Sequence, residues 1–469
     1  MSDRELRPDQ IQDLGRLFFK ERRTIHGGEP GTGKTPTICV LQRARWDKHG
    51  HKSLWLQPKK LLDKNYDEAM LWGEWAPGEV AIVDGTAAEC AAIIADPRVK
   101  LLLMGYKRFE LTADIIPADY KGIDIDEWHK AFGGHESRRT QALYRWCRQR
   151  GDDLWFVPMT GTVYNGRPST IYPALQIIEP RYYGTPEAFS QMHDIVDPWT
   201  GKVTGHCNFD RLEAILSKHS IKRLWTDVHG PEEIVVEVHR TAMNERQRQA
   251  YDRFRDEAIL ELENFFIDGT KPGVAFTRAR QIMEHPNVFP NLMEGGIGTV
   301  DICRGETPGK LSEFISDCEK MTALGRPMLA YAALVPQQRQ LLDAATHAGR
   351  RAGIINGEVT PAQAAKVDRA FRSGELDTII GSPQVADCGY NWQFCGRREV
   401  QDVLFVSMDY QDTAFFQAYK RAMRQARQAA LRIKVYTYTD SIDQHIMRLT
   451  KRKSQDATLV ERGRVALPW

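Results

Sequence analysis

Short runs of apolar and β-branched residues recur through the first part of the chain, at Ser53–Leu56, Val80–Val83, Val99–Met104, Ile123–Ile125 and Leu154–Val157. They lack the polar alternation of a half-exposed strand, which is the pattern of strands buried on both faces, and the stretches between them are long enough for helices. Strands joined by helical crossovers make a parallel sheet. The arrangement returns at Pro327–Ala332, Ala352–Ile355, Thr378–Gly381, Val403–Val406 and Ile433–Tyr438, with spacers such as Pro361–Arg372. The pattern predicts two α/β lobes and leaves their strand order open.

Between the lobes the character changes. From about Arg181 to Glu306 the chain is charged and helix-like, and Asn244–Phe266 sets Tyr251, Phe254, Ile259, Leu260 and Leu262 among charged residues. Gly295–Gly298 and Gly305–Gly309, with Pro308, supply turns. The expected organisation is a first domain over 1–180, a helical insertion and linker over 181–305, and a second domain over 306–469. A chain of this length exceeds one ordinary hydrophobic core, which points the same way.

Composition narrows the class. With 42% hydrophobic and 27% charged residues, and no apolar run of bilayer-spanning length, the chain reads as a globular protein outside the membrane. Met1–Gln10 mixes charges and lacks the apolar core of a secretory signal, so the expected location is the cytoplasm, of a bacterium or a virus-infected host cell. Eight cysteines stand singly with no Cys-x-x-Cys pair, an argument against zinc and a disulfide framework. The net charge of +2 indicates no polyanionic partner, but between Lys420 and Lys453 there are ten Lys or Arg and two Asp. That excess suits phosphate contact and suits a solvated helical surface equally.

The strongest chemical signal is Gly28-Glu29-Pro30-Gly31-Thr32-Gly33-Lys34-Thr35, a match to the G-x-x-x-x-G-K-[ST] phosphate loop. Glycines let backbone N–H groups converge on phosphate oxygens, Lys34 would reach the β and γ phosphates of ATP, and the Thr35 hydroxyl would ligate Mg2+. Arg23–His26 is placed to be the preceding strand, and Pro36 is tolerated in the first turn of the following helix. The second signal is Asp126-Glu127-Trp128-His129, directly after Gly122–Ile125. An Asp at the end of a buried strand can hold the metal, and the adjacent Glu127 can polarise the attacking water. His129 fits either a coupling role or a local hydrogen bond, and Trp128 is expected to pack.

In this order the segments resemble helicase superfamily two, with Asp126–His129 as a DEAH-type box, and within it the Swi/Snf-like DNA translocases. Leu6-Arg7-Pro8-Asp9-Gln10 resembles the element whose glutamine, here Gln10, contacts adenine. Leu54–Leu62 resembles motif Ia, and Met159-Thr160-Gly161-Thr162 followed by Asn165 resembles motif III, which couples hydrolysis to movement. Arg280–Phe289, RQIMEHPNVF, is similar to a block that marks Swi/Snf-like proteins. Ile355–Gly374 is similar to a second-lobe segment of the family, and Asp387–Gln393, with Gly389, resembles motif V. Gln417–Arg424 resembles motif VI, whose two arginines, here Arg421 and Arg424, reach the γ phosphate in the family.

The resemblance spans about residues 6 to 453 and implies two RecA-like parallel-sheet domains in tandem, an ATP and Mg2+ site, and a DNA partner. It assigns coupling to His129, Thr160, Gly161, Thr162, Gly389 and Gln417. Departures fall at Tyr390 and Trp392 in motif V, at the residue before Arg421 and Met423 in motif VI, and at Trp128. Candidate DNA contacts are Lys59, Lys60 and the Ser382–Asn391 stretch, with Ser382 and Asn391 at its ends; the lysines fit solvated surface charge equally well. The expected function is ATP-driven DNA translocation or unwinding in replication, recombination or repair. The alternatives are an ATP-gated DNA clamp, a motor subunit of a nuclease or recombination complex, and an RNA helicase.

Overall fold

The first sheet grows from strands that are apolar on both sides. Its members are Ile25–Gly28 (β1), Lys52–Gln57 (β2), Val80–Ile82 (β3), Leu101–Gly105 (β4), Tyr120–Ile125 (β5) and Trp155–Pro158 (β6). Five of them form a sheet in the order β3-β4-β2-β5-β6, every pair parallel. The register sets Leu54 beside Leu102 and Ile123, and Ile123 beside Phe156. β1 continues the layer beyond β6 through the parallel bridges Arg23–Phe156 and His26–Met159, and pairs on its other side with Ser220–Arg223 (β7). Side chains alternate between two cores: Leu54, Leu56, Ile123 and Phe156 face one, Trp55, Leu103 and Val157 the other. Because the strands are parallel, their C-terminal ends lie along one edge, where ligands bind in open α/β sheets.

The computed structural model describes residues 5–161, 163–164, 167–230, 233–257, 259–262, 265–268, 272–290, 299–384, 390–408, 412–423 and 427–460. Contacts divide the chain into two units, Met1–Pro231 with Lys453–Ala466, and Glu232–Arg452 with Leu467–Trp469. Among the described residues no helix is long and apolar enough to cross a membrane.

The first unit is tied together by polar groups that its apolar pattern hides. Helix α1 (Pro8–Gly15) precedes β1, and helix α2 (Lys34–His49) follows it. Arg45 on α2 meets Asp124 on β5 through two hydrogen bonds of 2.8 and 2.9 Å, both side chains being fully buried. Gln42 adds a third donor at 2.9 Å. The helix that begins at the phosphate loop is thus bolted to the strand that ends at Asp126. Helix α3 (Trp225–His229) follows β7 near the end of this unit.

The second unit repeats the architecture. Ile234–Thr241 (β8), Met328–Tyr331 (β9), Ala352–Ile355 (β10), Thr378–Gly381 (β11), Asp402–Phe405 (β12) and Leu431–Tyr438 (β13) form a six-stranded parallel sheet in the order β8-β13-β12-β9-β11-β10. Its core gathers Phe314, Met328, Ala330, Ile380, Leu404 and Tyr436. The α/β class and the two parallel sheets therefore stand as the sequence pattern predicts.

The charged stretch between the lobes differs from its helical expectation. β8 lies within it and pairs with β13 over eight residues. Its apolar run, Ile234–Val236, is only three residues long before Glu237, His239 and Arg240 break it up, so it does not stand out from the charged stretch. The helix expected over Asn244–Phe266 covers Glu245–Glu257 (α4); Ile259–Leu262 and Phe265–Asp268 pair as antiparallel strands, in keeping with their β-branched and aromatic content. Helix α5 (Pro272–Glu284) carries the first half of the RQIMEHPNVF block, Arg280–Glu284, whose last residue is part of an interior polar cluster. Glu284 accepts from Lys310 at 3.0 and 3.2 Å, Lys310 lies 2.8 Å from Asp443, and Gln337 donates to Glu284 at 2.8 Å. Burial raises the Glu284 carboxyl above its usual range. Burial also pulls Lys310 down, but Asp443 and Glu284 more than reverse it, and its net shift is upward.

Candidate nucleotide site

The loop between β1 and α2 has the shape its sequence demands. Gly31 and Gly33 have φ of 86° and 90°, the left-handed region that favours glycine, and Gly33 caps α2. A Cβ at Gly28 would lie 2.6 Å from Thr32 Oγ1, and one at Gly33 would collide with Gln10 Nε2. The cradle is therefore built around missing side chains. Thr32 Oγ1 donates to the Glu29 carbonyl at 2.8 Å. Lys34 opens α2 and folds back, its ammonium donating to the carbonyls of Gly28 at 2.5 Å and Glu29 at 3.2 Å, and Thr35 follows it in the first turn. Gln10 donates to the Gly33 carbonyl at 2.9 Å and Arg7 to that of Thr32 at 2.5 Å. The glutamine expected at adenine thus sits on α1, against the loop.

The acidic pair lies at the end of β5. Asp126 N–H continues the ladder to the Leu56 carbonyl at 2.8 Å, and Tyr106 donates its hydroxyl to the Asp126 carbonyl at 2.6 Å. Glu127 takes a left-handed backbone, φ 45°, and its N–H donates to Asp126 Oδ1 at 3.0 Å. That conformation costs a non-glycine residue on the order of 1 kcal/mol or more, and such strain clusters at functional sites. Asp126 keeps a partly open surface within a protein-lined recess; this burial, reinforced by the Glu127 carboxylate and opposed by Lys34, pushes its pKa up to about 6.

A third segment joins these two. Met159 N–H donates to the Ile125 carbonyl at 2.7 Å, Trp128 N–H to the Met159 carbonyl at 3.0 Å, and Thr160 N–H to the His26 carbonyl at 3.2 Å. His129 Nδ1 lies 2.8 Å from Thr160 Oγ1 and 3.6 Å from Glu127 Oε2. Burial holds His129 below its ordinary pKa. A Cβ at Gly161 would lie 2.9 Å from Pro30 Cδ, so this segment touches the phosphate loop directly. Lys34, Thr35, Asp126, Glu127, His129, Thr160 and Gly161 are thus brought to one sheet edge; Thr162 lies outside the described residues. Glycine-shaped backbone, an ammonium, a hydroxyl and a carboxylate form a donor set that fits a triphosphate with Mg2+.

Lys59 and Lys60 are exposed after β2, and Lys59 pairs with Asp84 at 2.8 Å. Ser382 is half-buried, its hydroxyl accepting from Gln384 N–H at 3.1 Å; Asn391 is exposed, its Oδ1 accepting from Gln393 N–H at 3.4 Å. Trp392 is buried, stacks on Tyr390 at 4.7 Å and donates to Asp368 at 2.8 Å, which gives these two departures from motif V a packing role. Gln417 is buried on helix α6 (Asp412–Tyr419), and Arg421 is buried in the turn after it, its carbonyl accepting from Trp392 N–H at 2.9 Å. Gly389 and Arg424 lie outside the described residues.

Sequence reading missed a set of supporting residues: Arg7, Asp13, Tyr106, Arg223, Trp225 and His229 around the nucleotide loop and the acidic pair, with Arg45 and Asp124 behind it. Only Asp124 carried a signal, as a charge inside an otherwise apolar strand.

No family model matches the chain, and no curated protein sequence does. Among solved structures, the Sulfolobus solfataricus SWI2/SNF2 ATPase core in complex with dsDNA is similar to it at 14% identity, over 98% of this chain and 95% of that one, with a TM-score of 0.44.

Proposed function

We propose that the chain is an ATP-dependent DNA translocase or helicase. The observation that carries the reading is the convergence, on one edge of the first sheet, of the glycine-shaped loop with Lys34, the Asp126–Glu127 pair and the His129–Thr160 contact. Lys34 and the loop amides would hold the phosphates of ATP, and Thr35 and Asp126 would hold Mg2+. Bound magnesium supplies charge neutralisation at the β and γ oxygens. Glu127 orients and polarises water, and the His129–Thr160 hydrogen bond ties the segment that follows Glu127 to the loop after β6. Arg421 and Arg424 are proposed to stabilise charge on the transferring phosphoryl group, with Gln417 and Gly389 coupling hydrolysis to movement.

DNA is preferred to RNA because of the resemblance of Arg280–Phe289 and the order of the other motifs to Swi/Snf-like translocases. Lys59, Lys60, Ser382 and Asn391 are the proposed phosphate contacts. Lys59–Asp84 is an exposed pair, worth about 0–1 kcal/mol, so a phosphate can displace the carboxylate. Lys59→Ala is expected to weaken DNA binding uniformly across sequences and to lower the salt slope of log K by about one, measured by anisotropy titrations at several salt concentrations.

The deciding experiment compares ATP hydrolysis stimulated by single-stranded DNA, duplex DNA and RNA, alongside fork unwinding and triplex displacement, with Lys34→Ala as the inactive control. Triplex displacement without unwinding identifies a translocase. Slow turnover at saturating DNA would identify a clamp, and stimulation by RNA alone would overturn the DNA assignment.

The pH profile tests the metal carboxylate separately. Asp126 must be ionised to hold Mg2+, and its pKa is raised to about 6, so kcat/KM for ATP is expected to fall as pH drops through about 6. An acid limb near 4 would show that the carboxyl is not raised in the free protein; the metal role is tested by Asp126→Asn, expected to raise the Mg2+ requirement of ATP hydrolysis, and an unchanged requirement would remove Asp126 from it.

A further inference from the structure

The phosphate loop is gripped from outside its own motif, on two sides. On one side α1 supplies Gln10 and Arg7 to the carbonyls of Gly33 and Thr32. On the other, β7 and α3 hold the residues just before. Glu29 N–H donates to the Arg223 carbonyl at 2.9 Å, Trp225 N–H donates to Glu29 Oε2 at 2.7 Å, and His229 Nε2 lies 3.1 Å from the Gly31 carbonyl. The Gly31 oxygen only accepts, so His229 carries its proton on Nε2 and donates. The Trp225 indole is 2% exposed and packs 4.1 Å from the His229 ring, fixing both. The two grips are themselves joined, because Arg223 bonds Asp13 at 2.6 and 2.9 Å and Gln12 at 2.6 Å, both on α1.

A loop with two left-handed glycines has wide conformational freedom, and holding its amides convergent without ligand opposes backbone entropy. The loop also contains an acidic side chain, Glu29, which would repel a triphosphate if it swung inward. The Trp225 amide keeps that carboxylate on the α3 side.

Resting on the ATP reading above, we infer that Trp225 and His229 are positioning residues of the nucleotide site, a clasp that turns Glu29 aside and holds Gly31 so that the phosphate loop is preset for ATP. α3 closes the first unit, whose main segment ends at Pro231, so the clasp lies on the last stretch of chain before the second unit begins.

The test uses the full chain with His229→Ala, His229→Gln and Trp225→Phe. His229→Ala is expected to raise KM for ATP about tenfold, the worth of one hydrogen bond to a preset loop, with kcat at saturating ATP changed less than about twofold. His229→Gln keeps an N–H donor and is expected to recover most of the loss. Trp225→Phe, which keeps the backbone amide but loosens the ring packed on His229, is expected to raise KM for ATP part of the way towards His229→Ala, and a KM equal to the parent's removes the Trp225 ring from the clasp. An unchanged KM, or a Gln variant no better than Ala, overturns the inference. So does an effect that follows only the fraction of folded protein.

Hydrogen exchange of the amides of residues 28, 29 and 31–33 without nucleotide gives a second readout that does not depend on ATP. Faster exchange is expected in His229→Ala and parent-like exchange in His229→Gln. If the parent binds no ATP, the function proposed above fails; if loop exchange is unchanged by His229→Ala, the clasp fails.

Discussion

Glu127→Gln is expected to slow ATP turnover by about three orders of magnitude while leaving nucleotide affinity within a few-fold, since general-base assistance typically contributes 10²–10⁴. Glutamine preserves the size of the side chain and its capacity to accept one hydrogen bond. It cannot take up negative charge, so it cannot polarise a water as a carboxylate does. The local structure makes the comparison clean: the backbone at φ 45° is held by the Asp126 contact to Glu127 N–H, which the substitution leaves intact. Single-turnover phosphate release with and without DNA measures the rate, and a fluorescent ATP analogue measures affinity. A rate loss below about tenfold, or a matching loss of affinity, would remove Glu127 from the water-activating role. Glu127→Gly is the companion variant. It should relieve the left-handed strain and gain on the order of 1 kcal/mol of stability while losing activity, as expected where strain is kept for function.

How much of this was legible beforehand depended on the range of the interaction. The phosphate loop reads directly because its chemistry is local: glycines at fixed spacing give the conformation, and Lys34 and Thr35 follow in the first turn of α2. Strands β2, β4, β5 and β6 read equally well, because burial on both faces leaves an unbroken apolar run. β8 did not, since a three-residue apolar run followed by Glu237, His239 and Arg240 resembles a charged helix surface as much as a sheet edge. The clasp at the loop is invisible for a different reason. Trp225 and His229 lie almost two hundred residues from Glu29 and Gly31, and nothing local marks a tryptophan amide as the partner of a carboxylate so distant. The same holds for Lys310, whose two carboxylate partners, Glu284 and Asp443, come from separate helices. Local rules reach the residues that meet the ligand; the residues that hold those in place come from tertiary pairing.

Asp124→Ala is expected to destabilise the first unit by about 3–5 kcal/mol, the usual cost of removing one partner from a buried ion pair. The substitution strands the Arg45 guanidinium with no solvent to receive it, since both side chains are fully buried. It also strands the Gln42 amide. For a domain of this size each kcal/mol shifts Tm by roughly 2–4 °C, so thermal unfolding should move down by about 6–20 °C. Loss of the carboxylate and loss of the charge pair can be separated. Asp124→Val combined with Arg45→Met replaces the pair with apolar groups and should recover much of the stability, because a buried pair is often no better than a well-packed apolar substitute. Recovery of activity is a different matter. Arg45 sits on the helix that begins with Lys34, and Asp124 stands two residues before Asp126, so the bidentate bond fixes the spacing between the ammonium and the metal carboxylate. An apolar contact lacks that directionality. The double variant is therefore expected to be folded at the assay temperature yet to hydrolyse ATP at least about tenfold more slowly than the parent, since small misplacements of reacting groups cost rate steeply. Parental turnover in a stable double variant would show that the pair serves folding alone.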